Sequence, residues 1–321
     1  MKRTTVARTS MALAASLVLA ACGLSEDSGT TTDTSAGEKV EESALKGVSL
    51  TVGSKDFDEQ FVLGELAIQT LSAAGAEATD ETNIKGSTAA REALLRGDVD
   101  VYYDYTGTGY INYLGHGKSI PDEQKLYEAV KEEDLKKNGL VWGEPAPFNN
   151  TYAFATTKEF AEENSVASLS DMKTYLDENS DATVCVETEF ANRPDGLPGM
   201  QKAYDMDIPS SSIQSLGTGV IYPQIDNGTC DFGEVFTTDG RIANLGLIPL
   251  EDDKKFFPLY NGAPIVEKSN ENGDKILEVL APLSETLTTE VMTELNKQIS
   301  ADGLPVEKIA GDYLKAEGFI Q

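Results

Sequence analysis

The sequence has very little of the chemistry on which most enzymes and metal sites depend. Its 321 residues include one histidine, His116, and three cysteines. His116 lies between two glycines, a pattern typical of a loop, and it is distant in sequence from every cysteine. A single histidine removes most acyl-transfer mechanisms and most metal sites. We therefore expect no metal ion and no cofactor.

Motifs of common catalytic sites are also missing. The chain has no Gly-x-Ser-x-Gly nucleophile motif and no Gly-x-x-x-x-Gly-Lys-Ser/Thr phosphate loop. Its many acidic residues make chance pairs of carboxylates common, so such pairs give no specific support for a glycosidase. We expect a protein that is not an enzyme, with an enzyme acting on a small cation as an alternative.

Basic residues are scarce. The chain has 26 Lys and Arg residues against 54 Asp and Glu residues, a formal net charge of -28. Such an excess repels nucleic acid and anionic lipid, so neither is expected as a partner. The acidic residues are spread along the chain, which is typical of a solvated acidic coat and only weakly favours cationic or zwitterionic ligands.

Long apolar runs are absent except for a short one at the amino terminus. Lys2, Arg3 and Arg8 precede an apolar run that ends in small residues, which together indicate a secretory signal over residues 1–21. The run is shorter than the roughly 20 residues of a membrane-spanning helix. Residues 19–22, LAAC, resemble a bacterial lipobox, which implies cleavage before Cys22 and lipid attachment to it. A plain secretory signal with an incidental cysteine is the alternative.

The stretch after Cys22 is polar and acidic. We expect residues 22–47 to form a flexible tether, because they contain too little apolar surface to offset the cost of ordering. An anchored Cys22, a tether and then a globular body from Val48 predict a position on the outer face of the cell membrane. In that oxidising compartment Cys185 and Cys230 are expected to form a disulfide. Two separate buried thiols are the alternative.

From Val48 onward, strand and helix patterns alternate, which predicts an α/β fold. Within residues 100–110, Val101, Tyr103 and Tyr105 alternate with other side chains as in a half-buried strand. The sequence Thr-Gly-Thr-Gly then predicts a ligand-facing loop, although a packed strand edge is an alternative. A charged helix follows from residue 121 to Lys137, and we place its Tyr127 on the surface.

Aromatic residues stand beside several predicted turns. Aromatic faces attract cations, above all quaternary ammonium groups, which cannot hydrogen-bond. Basic and hydroxyl groups in other turns can hold a carboxylate by charge-assisted hydrogen bonds. Together they suit a zwitterion with a methylated ammonium, although each ring could instead belong to the core. The rings are Tyr105, Tyr152, Phe236 and Tyr260, and the polar groups are Lys55, Thr108 and Arg193.

Five segments carry a resemblance in order and at family-like spacings. They are VGSKDFDEQ (52–60), DVYYDYTGTG (100–109), PAPFNNTY (145–152), RPDGLPG (193–199) and EDDKKFFP (251–258). They resemble the glycine betaine, carnitine and choline binding proteins of osmoprotectant ABC importers. The resemblance implies a type II periplasmic-binding-protein fold, two α/β lobes with a ligand cleft between them. Residues 48–148 with 258–321 would form lobe 1 and residues 149–257 lobe 2, with crossings near 149–152 and 257–260.

The resemblance also assigns roles. It implies an aromatic cage of Tyr105, Tyr152, Phe236 and Tyr260, with Lys55, Thr108, Asn150 and Arg193 at the polar end of the ligand. Some relatives have tyrosine where this chain has Phe236, and the neutral Thr108 leaves room for a carboxylate. The implied partners are a quaternary ammonium osmolyte and an ABC permease, with the protein itself a monomer. A receptor for another small solute, such as an amino acid, and a surface adhesin are the alternatives.

Overall fold

The computed structural model describes residues 34–321, in which ten strands form two five-stranded sheets. In spatial order the first sheet contains β2 (Glu77–Ile84), β1 (Ser49–Lys55), β3 (Val101–Tyr105), β10 (Gly262–Glu267) and β4 (Leu140–Trp142). The second contains β7 (Ile213–Leu216), β6 (Val184–Glu187), β8 (Phe232–Phe236), β5 (Tyr152–Thr157) and β9 (Leu247–Pro249). The predicted α/β class is confirmed.

Helices connect the strands and cover the sheets. They are α1 (Asp58–Ala73), α2 (Ser87–Arg96), α3 (Glu123–Asn138), α4 (Lys158–Asn164), α5 (Leu169–Glu178), α6 (Leu197–Tyr204), α7 (Thr218–Asp226), α8 (Gly240–Leu245), α9 (Gly273–Thr286), α10 (Thr289–Ser300) and α11 (Val306–Ala316). The last helix, α11, ends five residues before the carboxyl end of the chain.

The two sheets repeat one topology. In the first, β1 pairs in parallel with β2 and β3, while β10 is antiparallel to β3 and β4. In the second, β6 pairs in parallel with β7 and β8, while β5 is antiparallel to β8 and β9. The chain therefore passes between the sheets twice, before β5 and before β10. The two passages run side by side, because Asn149 and Asn261 form an antiparallel bridge.

The segment that follows β3 differs from its prediction. All five residues of β3 are buried, because α1 packs on one face and Trp142 and its neighbours on the other, so the expectation of a half-buried strand was wrong. A helical turn of π type, Thr108–Tyr113, stands where a loop was expected. Gly107 is needed for a close approach, since a Cβ there would lie 2.6 Å from the Leu259 carbonyl oxygen.

One residue was placed wrongly and one strand was not predicted, both for reasons of packing. Tyr127 is only 3% exposed, because it lies on the apolar face of α3 with Leu126 and Val130. The strand β2 was not predicted, since its sequence EATDETNI is polar. That composition suits an edge strand that pairs with β1 alone and leaves much of its surface in water.

The expected tether is too long. Residues 34–47 pack against the carboxyl end of the chain: Gly37 N donates to the Phe319 carbonyl, and Leu45 is 0% exposed. Val40 and Leu45 supply apolar surface that the prediction overlooked. The signal segment, Cys22 and the first part of the tether lie outside the described residues. No helix in residues 34–321 is long and apolar enough to cross a membrane.

A disulfide joins two neighbouring strands of the second sheet. Cys185 in β6 is bonded to Cys230, which lies two residues before the start of β8, and their Cα atoms are 5.8 Å apart. Both cysteines are buried. The bond closes a loop with a sequence separation of 45.

We expect the double variant Cys185→Ser/Cys230→Ser to unfold with a free energy lower by about 3 kcal/mol, because the unfolded chain gains the freedom of that loop. Chemical denaturation of residues 34–321 measures the loss. Thiol titration of the denatured, unreduced wild type should find no free thiol, and two free thiols would contradict the bond.

A buried acid lies beneath the end of the second sheet. Glu234 in β8 accepts a hydrogen bond from the Glu187 backbone N–H at 3.1 Å, while its other oxygen has no partner in the described part of the chain. Burial raises the pKa of Glu234 to about 8. The folded protein thus retains a proton there that the unfolded chain gives up at lower pH.

The contribution of Glu234 to the free energy of unfolding should therefore decrease as the pH rises from 4.5 towards 8. Between pH 4.5 and 7 we expect Glu234→Gln to gain on the order of 3 kcal/mol of unfolding free energy relative to wild type, because glutamine does not titrate. Denaturation of both proteins across this range measures the gain. The exposed control Glu178→Gln should show a constant difference, and a constant difference for Glu234→Gln would refute the expectation.

Candidate functional site

A cavity of about 630 Å³ lies between the two sheets. All eight residues that the sequence assigned to a ligand site line it: Lys55, Tyr105, Thr108, Asn150, Tyr152, Arg193, Phe236 and Tyr260. They come from six separate parts of the chain. The fold therefore brings the whole predicted set together.

Strand ends position the aromatic residues. Tyr152 begins β5 and is paired directly with Phe236 at the end of β8. Tyr105 ends β3 opposite Gly262 of β10, and Tyr260 stands just before that strand in the second passage. In open sheets of this kind the carboxyl ends of parallel strands face the ligand crevice.

The rings stand at angles to one another. Tyr152 lies 5.2 Å from Phe236 and 5.3 Å from Tyr260, and its ring is nearly perpendicular to that of Tyr260 at 81°. Burial raises the pKa values of Tyr105, Tyr152 and Tyr260 well above 10. The three phenols are therefore neutral at physiological pH and present π faces rather than phenolates.

Phe57 is an aromatic residue of the site that the sequence analysis missed. It lines the cavity and stacks on Phe236, with ring centres 5.3 Å apart and planes inclined by 2°. It also lies 6.3 Å from the Tyr105 ring. The criterion that found the other rings, an aromatic residue beside a turn at a strand end, applies to Phe57 as well.

Lys55 is 3% exposed and already has an acidic partner. Its Nζ lies 2.6 Å from Asp104 Oδ1 and 5.0 Å from the centre of the Tyr105 ring. Asp104 also accepts hydrogen bonds from the hydroxyls of Tyr102 and Tyr113. Lys55 thus contributes a cation whose charge is balanced and whose remaining N–H groups are free to donate.

Arg193 is 5% exposed and joins the two sides of the cavity. Two of its nitrogens donate to Asp195, and a third donates to Glu189 at 2.7 Å. From the opposite side, Thr108 accepts from Nη2 at 3.1 Å, which leaves the threonine hydroxyl proton able to donate. Asp195 in turn accepts from the Tyr260 hydroxyl at 2.8 Å.

Glu189 is a second residue that the sequence analysis missed. Its carboxylate accepts from the Ser87 backbone N–H at 2.8 Å, at the start of α2. Burial alone would raise the pKa of Glu189, but the charges of Arg193 and Lys55 and the Ser87 hydrogen bonds lower it to about 2. A further pair, Asp58 with Arg241 at 2.9 Å, lies beside Phe57 and Phe236 and connects α1 with α8.

The arrangement can bind an organic cation against π faces and place polar donors at one end. Among residues 34–321, no group of three or more His, Cys, Asp or Glu side chains is arranged to hold a metal ion. Two basic residues of the cavity, Lys55 and Arg193, are paired with carboxylates.

Comparison with known proteins gives a consistent result. Residues 48–316 match the family model described as the substrate-binding domain of ABC-type glycine betaine transport systems. A glycine-betaine-binding protein of Pseudomonas aeruginosa is 35% identical over 83% of this chain and 87% of its own length. The glycine betaine-binding protein YehZ of Escherichia coli is 32% identical over 84% of this chain and 90% of its own.

Solved structures agree. The apo structure of YehZ from Escherichia coli superposes with a TM-score of 0.61 at 32% identity, covering 84% of this chain and 99% of that one. Lactococcal OpuAC, closed on glycine betaine, shares the fold with a TM-score of 0.58 at 12% identity, covering 84% and 96%. The expected type II periplasmic-binding-protein fold is confirmed, and so is the expectation of a binding protein rather than an enzyme. The chain belongs to the family of substrate-binding domains of ABC-type glycine betaine transport systems.

Proposed function

We propose that this protein captures a quaternary ammonium osmolyte outside the cytoplasm and delivers it to an ABC permease. One observation carries the proposal: aromatic rings from separate parts of the chain line one cavity together with Lys55 and Arg193. A methylated ammonium cannot hydrogen-bond, so it leaves water most readily for such faces. Each contact contributes roughly 0.5–1 kcal/mol when exposed and about 2 kcal/mol or more when water is excluded.

The polar end of the ligand would meet Lys55, Thr108 and Arg193. Each is held by a partner within the protein and still has a proton to donate. A ligand carboxylate would accept these protons without the protein having to break an ion pair. Asn150 lines the cavity close to the rings, and its side chain is fixed by donation to Glu59 at 2.7 Å.

We propose that residues 48–148 with 258–321 and residues 149–257 act as two lobes that close on the ligand. Contacts between the two sets of residues would have to break on opening, among them Arg193 with Thr108, Glu189 with Ser87, and Arg241 with Asp58. Closure around the rings excludes water and strengthens their attraction for the cation.

For its location we propose lipid attachment at Cys22 after removal of residues 1–21. Residues between Cys22 and the ordered body would then connect the lipid to the lobes, which act as a monomer. The disulfide between Cys185 and Cys230 supports an oxidising compartment.

The preferred solute should be a betaine. Relatives are named for glycine betaine, for carnitine in Listeria monocytogenes and for ergothioneine in Helicobacter pylori. The cavity of about 630 Å³ is large enough to include the longer ones. A small solute without a methylated cation, such as an amino acid, is the alternative.

Calorimetric titration with glycine betaine, carnitine, choline, ergothioneine and proline betaine tests the proposal. We expect at least one of these to bind, because all carry a methylated ammonium for the rings. Proline is the matched control, since it differs from proline betaine only in lacking the methyl groups and should bind far more weakly. If none of the five bound, the proposal would fail, and if proline outcompeted them the alternative would hold.

Replacing Tyr152 by leucine should weaken binding about tenfold or more, because the change removes a π face and retains most of the apolar volume. Tyr175→Leu is the matched control: that residue packs against Phe160 and Phe232 in the second-sheet half and does not line the cavity. Titration with the best panel ligand measures both. Equal losses in the two variants would show that Tyr152 has a structural role only.

A further inference from the structure

Behind the rings lies a buried acid with no assigned role. Glu59 is in the first turn of α1 and is 3% exposed. One carboxylate oxygen accepts from the Tyr105 hydroxyl at 2.8 Å and from Asn150 at 2.7 Å. The other accepts from the Thr238 hydroxyl at 2.6 Å and from Asn296 at 2.8 Å.

These four donors come from four places in the fold. Tyr105 ends β3, Asn150 belongs to the first passage between the sheets, Thr238 follows β8, and Asn296 lies in α10. Two of them, Tyr105 and Asn150, also line the ligand cavity. Glu59 therefore fixes a cage ring and a polar cavity residue from behind, against anchors on the other side of the molecule.

Glu59 differs from the acids that hold the cations of the cavity. Asp104, Asp195 and Glu189 each pair with a lysine or arginine within 4 Å. Within the described residues, Glu59 forms no such ion pair, and its four partners are all neutral. A buried charge without a counter-charge is costly, and proteins retain one mostly where function needs it.

The hydrogen-bond pattern suits the ionised form. All four partners can donate, and an ionised carboxylate only accepts, so each donor is satisfied. Burial raises the pKa of Glu59 above 4.5, while the four hydrogen bonds lower it in part. Nearby charges are Asp58, Asp239 and Arg241, and Arg241 is paired with both acids.

We propose that Glu59 is a positioning residue of the cage whose negative charge, transmitted through the Tyr105 hydroxyl, complements the cation of the ligand. A phenol that donates to a carboxylate carries more electron density on its ring, so its face attracts a cation more strongly. The ligand's ammonium then supplies the positive charge that Glu59 lacks within the protein. The inference rests on the proposed function, since it requires a cationic ligand at the rings.

Glu59→Gln is the first test, because glutamine keeps the shape of the side chain and removes its charge. With glycine betaine as the probe, we expect about tenfold weaker binding at pH 7.5, equal to the loss of one charge-assisted hydrogen bond. Glu65→Gln, on the same helix and away from the cavity, should change affinity less than about twofold.

The pH profile separates a charge effect from a structural one. As the pH falls towards 4.5, wild-type Glu59 takes up a proton and should come to resemble the variant, so the ratio of the two dissociation constants should approach one. Asp58, Asp239 and Arg241 are present in both proteins, so the ratio compares the two side chains at position 59 among the same neighbouring residues. A ratio that stays constant with pH, or equal affinities at pH 7.5, would overturn the proposal.

Tyr105→Phe gives an independent test if Glu59→Gln does not fold, as judged by thermal unfolding. It keeps the ring and removes the hydroxyl that contacts Glu59, and we expect about three- to tenfold weaker binding of glycine betaine. Unchanged or tighter binding would overturn the proposal. Failure of wild type to bind any quaternary ammonium ligand would instead be failure of the proposed function, and wild-type titration alone distinguishes the two.

Discussion

A charged side chain that is removed from water needs an opposite charge or hydrogen bonds in the protein. This requirement determines most of the contacts around the cavity. Lys55 and Arg193 are both almost fully buried, and each is held by carboxylates of its own chain. Without those carboxylates, burying the two charged side chains would cost a large free energy of desolvation. The acids therefore hold the two cations in place at the cavity wall. Under the proposed function, the cations in turn define where a polar group of the ligand would bind.

The same requirement links the site to the fold. Arg193 belongs to the second-sheet half, and Thr108, which accepts from it, belongs to the first. A second hydrogen bond also joins the halves. The Ser87 backbone N–H of the first half donates to the Glu189 carboxylate of the second. The side-by-side passages at Asn149 and Asn261 join the two halves by chain continuity, and these polar contacts join them through side chains.

Sequence reasoning predicted the fold class and the cavity lining because both depend on local pattern and motif order. Tyr105, Tyr152 and Tyr260 could be found since each stands beside a turn. The polar strand β2 could not be found from the sequence. It is stabilised by backbone pairing with β1, and its residues form no apolar face that a pattern would show. Glu59 and Glu189 could not be separated from the other acids among 54 Asp and Glu residues, since only tertiary packing shows which acids contact the cavity.

The balance of buried charge indicates which end of a ligand decides recognition. Lys55 and Arg193 pair with Asp104, Asp195 and Glu189, and Glu59 has no basic partner among the described residues, so this group of side chains contains more acids than bases. Such a balance favours a cation in the cavity, whereas a ligand carboxylate gains only from the hydrogen bonds left over by the ion pairs. An acidic residue in place of Thr108 would make the balance more negative still and remove one of those donors. Under the proposed function, the neutral Thr108 would leave a hydroxyl donor for the carboxylate of a zwitterion whose cation lies against the rings.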